Sequence, residues 1–116
     1  MYYLIIQLYK IEYKEDLLLA LTSCGIRKGS LFEGQNLDKV LDHNIPLFSG
    51  FIKSGNERER YALMFTGLVQ NKEQMRELVS ILEEADIPVQ SEDIMRLIVL
   101  PIEAIIDHET NWERKS

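Results

Sequence analysis

Cysteine is almost missing from this chain: Cys24 stands alone, so no intramolecular disulfide can staple the fold. With Leu17, Leu21 and Ile26 around it, the thiol reads as a small apolar core group, since a reactive cysteine needs an open, electropositive setting. Long apolar runs are missing too. None approaches the roughly 20 residues that a helix needs to cross a bilayer, so the protein is not expected to be membrane-embedded. The opening residues, Met1-Tyr2-Tyr3-Leu4-Ile5-Ile6, carry no basic leader and no small-residue cleavage site. They read as a strand, and a cytoplasmic location is the expectation. Positive charge is in deficit, with 13 basic against 19 acidic residues and a net charge of −6. A surface of that sign repels phosphate backbones and excludes nucleic acid as a partner. No serine or cysteine lies in a nucleophile elbow or beside a His–acid pair, and no cluster has metal-ligand spacing. The chain is not expected to be an enzyme.

What is present fits one domain. A chain of 116 residues, 46% hydrophobic and 28% charged, can bury a real core without staples. Residues 2 to 9 are short, aromatic and branched, as a buried strand is. In residues 14 to 24, Leu17, Leu18, Leu21 and Cys24 recur at helical spacing, and Gly25 stands where a helix ends in a left-handed residue. A second strand is predicted over 26–33, interrupted by Gly29. Leu37, Val40 and Leu41 place a short helix in the following connection, and 45–53 look extended before the Ser54-Gly55-Asn56 turn. A third strand covers 60–69. Asn71 is an N-cap with Gln74 as its capping-box partner, and Met75, Leu78, Val79, Leu82 and Ala85 form the stripe of a second long helix that Pro88 stops. The last strand is 95–100, ended by Pro101.

The order is β-α-β-β-α-β, an α+β, ferredoxin-like sandwich: an antiparallel sheet with two helices on one face. The domain is expected over 1–106, with 107–116 a polar C-terminal tail. Strand 1 is apolar on both faces, with Leu4, Ile6 and Leu8 against Tyr3, Ile5 and Tyr9. Two long helices cover one face of such a sheet; the other needs copies of the chain to cover it. This is the physical case for an oligomer.

Several polar groups compete for a functional reading. Asp42-His43 are adjacent and diverge by about 100° on a helix, so they do not converge on one ion. Asp107-His108-Glu109 lie in the tail and read as solvated. Glu57-Arg58-Glu59-Arg60 alternates in sign: in extended form it is either a salt-paired hairpin edge or an anion site at Arg58 and Arg60. Gly29, Gly34, Gln35 and Asn36 flank the base of the long connection, where glycine exposes backbone N–H groups to a ligand or simply makes a turn. Arg96, between Met95 and Leu97, reaches either that cleft or a subunit seam.

The segment Leu97-Ile98-Val99-Leu100-Pro101-Ile102-Glu103 resembles the closing strand of nitrogen-regulatory PII proteins and their PII-like relatives. The run from Gly25 into Glu33-Gly34-Gln35 and the stretch from Val40 to Gly50 resemble members of the same superfamily. The resemblance implies a PII-like homotrimer with sheets facing inward, ligands in clefts between subunits, and regulatory contact with an enzyme or a transporter through a loop that here spans 34–56. It places a small anionic or nucleotide-like ligand near Gly29, Gly34, Gln35, Asn36, Arg58, Arg60 and Arg96. The nucleotide-binding PII proteins carry a glycine-rich, lysine-bearing loop before the last strand. Here that stretch reads Ala85-Asp86-Ile87-Pro88-Val89-Gln90-Ser91-Glu92-Asp93, with no glycine, no lysine and three acids. Ordinary ATP binding is therefore expected to be lost, and no cofactor is assigned. Two other readings fit the same element order: a CutA-like structural or adaptor trimer without ligand, and a small ferredoxin-like enzyme working in a sheet-side cavity.

Overall fold

The computed structural model describes residues 1–26, 28–44, 60–108 and 111–113, with the backbone alone at 42–44 and 111–113. The expected extended segment 45–53, the turn at 54–56 and Arg58 lie outside the described residues. The described elements are β1 (Tyr2–Leu8), a 3₁₀ turn (Ile11–Tyr13), α1 (Lys14–Ser23), β2 (Gly29–Gln35), α2 (Leu37–Asn44), β3 (Tyr61–Val69), α3 (Lys72–Glu84), β4 (Met95–Pro101), β5 (Ala104–Ile106) and β6 (Asn111–Glu113). Four strands form one antiparallel sheet in the order β2-β3-β1-β4, the ferredoxin-like arrangement that two right-handed βαβ halves generate.

The core follows from the pleat. In β1, Leu4, Ile6 and Leu8 are fully buried, and their cross-strand partners put Phe65 and Leu63 of β3 and Met95 of β4 on the same face. Leu17, Ala20 and Leu21 of α1 and Leu78 and Leu82 of α3 close over that face. Met75 and Val79 join at the margin, whereas Ala85, expected on the same stripe, is exposed because it is already the C-cap residue. Cys24 is buried in this layer, and burial with the nearby Glu77 carboxylate pushes its thiol above the ordinary range. The neutral thiol is an inert core group, as its apolar neighbours indicate.

Both long helices end in the same lock. At α1, Gly25 donates to the Thr22 carbonyl (3.0 Å) and Ile26 to that of Leu21 (2.9 Å), with Gly25 at φ 75°. At α3, Asp86 donates to Glu83 (3.0 Å) and Ile87 to Leu82 (3.0 Å), with Asp86 at φ 63°. Each is a Schellman motif whose left-handed position is followed by a buried isoleucine. Glycine meets that backbone demand without cost, and aspartate does not. Asp86→Gly is expected to raise stability by about 1 kcal/mol, a rise in Tm of roughly 4 °C for a chain this size, readable by calorimetry.

The lock at α1 also explains a difference in β2. Ile26, the expected start of that strand, is held against the helix end, so pairing begins at Gly29 and runs on to Gln35. Gln74 ties the two halves: its side-chain oxygen accepts from Gln70 N–H (2.9 Å) and its amide donates to the Cys24 carbonyl (2.8 Å). Asn71 caps α3 by accepting from Gln74 N–H (2.9 Å), as its position in the sequence predicts. The C-terminal segment differs from the expected polar tail. Asn111–Glu113 pair with Ala104–Ile106, so a small two-stranded sheet straddles position 106, and local strand pairing satisfies backbone groups that polarity alone would leave to water.

Among the described residues the second face of the main sheet is bare. It carries Tyr3 and Ile5 of β1, Phe32 of β2, Met64 and Leu68 of β3, and Ile98 and Leu100 of β4. Phe32 is 50% exposed and Leu100 46%. No described element lies over it.

Candidate functional site

The apolar centre of the bare face gives way to polar groups at one end, where β1 and β2 finish and β3 and β4 start. Asn36, the residue after β2, organises that end. It is only 9% exposed, and its side-chain amide donates to the carbonyls of Tyr9 (3.1 Å) and Tyr61 (3.3 Å). Its backbone N–H donates to the Arg60 carbonyl (2.8 Å), and its own carbonyl accepts from Val40 N–H (2.9 Å), which starts α2. One short side chain therefore pins β1 to β3 and fixes where the long connection leaves the sheet and where it returns. Asparagine suits the task because it donates twice from a compact stem.

Tyr9 continues β1 and is held by its N–H donating to the Ile94 carbonyl (2.8 Å), while its hydroxyl donates to the side-chain oxygen of Gln7 (3.2 Å). The Arg96 guanidinium stands over its ring at 6.0 Å, the outer edge of cation–π range. Around these lies a cleft of about 610 Å³, whose further walls are Lys10 and Glu12 after β1, Leu37, Asp38 and Lys39 in the first turn of α2, and Asp93 before β4. A shallower cleft of about 250 Å³ adjoins it across Tyr9 and Asn36 and takes in Gln7, Phe32, Gly34 and Gln35. The two make one concave strip along the rim of the bare face.

Of the residues expected at a ligand site, Gly34, Gln35, Asn36 and Arg96 come together here. Arg60 lies beside them, opposite Asn36 at the neck of the connection, with its Nε buried and unpartnered among the described residues. Gly29 does not belong. It begins β2, six positions and roughly 20 Å from Gln35. A Cβ there would stand 2.5 Å from the Thr66 carbonyl oxygen and 2.6 Å from the Phe65 ring, so close packing accounts for this glycine. At Gly34 a Cβ would meet nothing within 4 Å, which leaves that backbone open to a ligand or a neighbouring chain. Tyr9, Lys10, Glu12 and Asp93 went unnoticed in the sequence: they follow or precede strands, and only the sheet order brings them together. Among the described residues no group of acids, histidines and cysteines is placed to hold a metal ion; the His43 side chain is outside the description. No described helix is long and apolar enough to cross a membrane.

No protein-family model matches the sequence, and no curated protein matches it. Solved structures do match in shape. CPII from Thiomonas intermedia K12, solved with ADP, AMP and acetate bound, superposes with a TM-score of 0.54 over 85% of this chain and 82% of its own, at 14% identity. At that identity the likeness establishes the fold: this chain has a PII-like, ferredoxin-like fold.

Proposed function

We propose that this chain is a PII-like signalling protein without enzymatic activity. In this reading it is a homotrimer that senses a small ligand in clefts between its subunits and acts on an enzyme or a transporter through the connection spanning 34–56. The observation that carries the reading is that the Tyr9–Asn36–Arg96 cleft and the uncovered apolar face belong to the same side of the sheet. Copies packed through the apolar centre would bring a neighbour to the rim of the cleft and roof it. Ligand and subunit would then stabilise each other, because each would cover surface the other leaves open. The base of the connection is part of the cleft wall through Asn36, Leu37 and Asp38, so occupancy would bear directly on how the connection leaves the sheet.

A CutA-like adaptor trimer without ligand is the second reading, and the loop before β4 favours it. That loop buries Ile87, Val89 and Ile94 and closes on itself, with Val89 donating to the Ile87 carbonyl (2.8 Å) and Ile94 to that of Glu92 (2.9 Å). It offers no glycine-built phosphate cradle, so the nucleotides bound by CPII are not carried over to this chain.

Light scattering on the full chain is expected to give about three times its 13.5 kDa mass. A thermal-shift panel of nucleotides, organic acids and amino acids is then expected to contain at least one ligand that raises Tm, by about 2.7 kcal/mol of added stability at a hundred times its Kd. Hydrogen exchange should slow in 34–56 with that ligand. A monomer in dilute solution would sink the reading; a trimer that no ligand stabilises would favour the adaptor.

A further inference from the structure

The large cleft has an unusual charge balance. Lys10, Lys39 and Arg96 line it together with Glu12, Asp38 and Asp93, three formal charges of each sign. Lys10, Glu12, Asp93 and Arg96 form no ion pair with one another or with any other described residue, and Arg96 meets only the Tyr9 ring. Charges of opposite sign that share a cleft without pairing, as Lys10, Glu12, Asp93 and Arg96 do, leave room between them for a molecule carrying both. A polyphosphate would gain from the cations but would meet the three acids, and Glu92 precedes Asp93 in the adjoining loop. A bare cation would meet the converse. A small molecule with a carboxylate at one end and an ammonium at the other gains from both sets and is repelled by neither.

From this arrangement we infer that the cleft takes a free amino acid or a similar small amino-carboxylate, with its carboxylate towards Arg96 and Lys10 and its ammonium towards Asp93 and Glu12. The inference rests on the proposed ligand-sensing role and specifies its ligand class. Arg96 is suited to the carboxylate because its planar fork donates two parallel N–H groups, and the Tyr9 ring beneath orients it. Asn36 is fixed by the strand carbonyls and sets the cleft floor. The cleft opens at the rim of the bare face, so a neighbouring subunit would exclude water and strengthen both ionic contacts.

Calorimetric titration of the full chain with glycine, L-glutamine and L-glutamate, beside acetate, ethylamine and ADP, tests this. At least one amino acid is expected to bind ten times more tightly than either acetate or ethylamine. Arg96→Gln and Asp93→Asn should each weaken it at least tenfold, whereas Ser80→Ala, on the exposed side of α3, should leave it unchanged. Affinity that holds in the Arg96 and Asp93 variants would overturn the assignment, as would acetate binding as tightly as the amino acids. Binding of ADP alone would overturn the ligand class while leaving ligand sensing intact. No binding by any of the six probes, with the trimer confirmed by light scattering, would overturn it as well and favour the adaptor.

Discussion

Ile98→Glu is expected to collapse the proposed trimer to a folded single chain, with light scattering falling to 13.5 kDa while circular dichroism stays unchanged. Ile98 is half-buried on the bare face of β4 and pairs with Ile5 of the adjacent central strand, so it lies near the middle of the apolar patch. In a lone chain a glutamate there remains in water and costs the fold little. In an assembly closed through this face it would be buried among Ile5, Thr66 and Leu100, and the cation on the same strand face, Arg96, two positions away, is drawn the other way, over the Tyr9 ring. An unpaired buried charge costs about 3–5 kcal/mol, which is two to four orders of magnitude in association constant. Met64→Glu, on β3 beside Phe32, should act in the same direction and less strongly, since it lies opposite Gln7, towards the polar end of the face. A matched change on the exposed side of α3, Ser80→Glu, should leave the mass as it was. If Ile98→Glu left the mass unchanged, the subunits would have to meet elsewhere, and the cleft at the rim of this face would have no neighbour to close it.

The sheet face was legible in the sequence because strand side chains alternate with a period of two, and apolar residues at both parities leave one face without a cover. The two helix stripes and their ends were legible for the same kind of reason: Leu17, Leu21, Leu78 and Leu82 fall at helical spacing, and Gly25 and Asn71 have conformational or hydrogen-bonding roles that few residues can fill. The site was only half legible. Gly34, Gln35 and Asn36 flank one connection and are close in sequence, so local reasoning found them. Arg96 was legible too, as a lone cation among apolar residues of a strand, but Tyr9, Glu12 and Asp93 come from two separate strand ends, and nothing local says that β1 and β4 are neighbours. That requires the sheet order. Gly29 was misread for the complementary reason, since a glycine that admits a neighbouring ring looks the same in sequence as one that admits a ligand.

The ring in question gives the largest expected loss of stability. Gly29 and Gly67 stand opposite each other in β2 and β3 on the core face, and the Phe65 ring, two positions along β3, lies back across both. A Cβ on Gly67 would stand 2.7 Å from the ring and 2.9 Å from the Lys28 carbonyl oxygen. The two glycines thus form a slot that only hydrogen atoms leave open. Phe65→Ala empties the slot; it removes a buried ring that no neighbour can replace, and is expected to cost about 3–5 kcal/mol, on the order of 15 °C in Tm. Gly67→Ala overfills it, at about 1–3 kcal/mol. The two changes share one space, so their costs should not add: with the ring gone, the new methyl gains room and contact, while the backbone oxygen of Lys28 still opposes it. The double variant is expected to be more stable than the sum of the single losses by about 1 kcal/mol, measured as a thermodynamic cycle by denaturant unfolding. Strict additivity would mean that the backbone contact, and not the ring, makes glycine necessary at position 67. Neither change touches the Asn36 end of the sheet, so ligand binding measured well below the lowered Tm should persist in Phe65→Ala and separate the residues that build the fold from those that line the cleft.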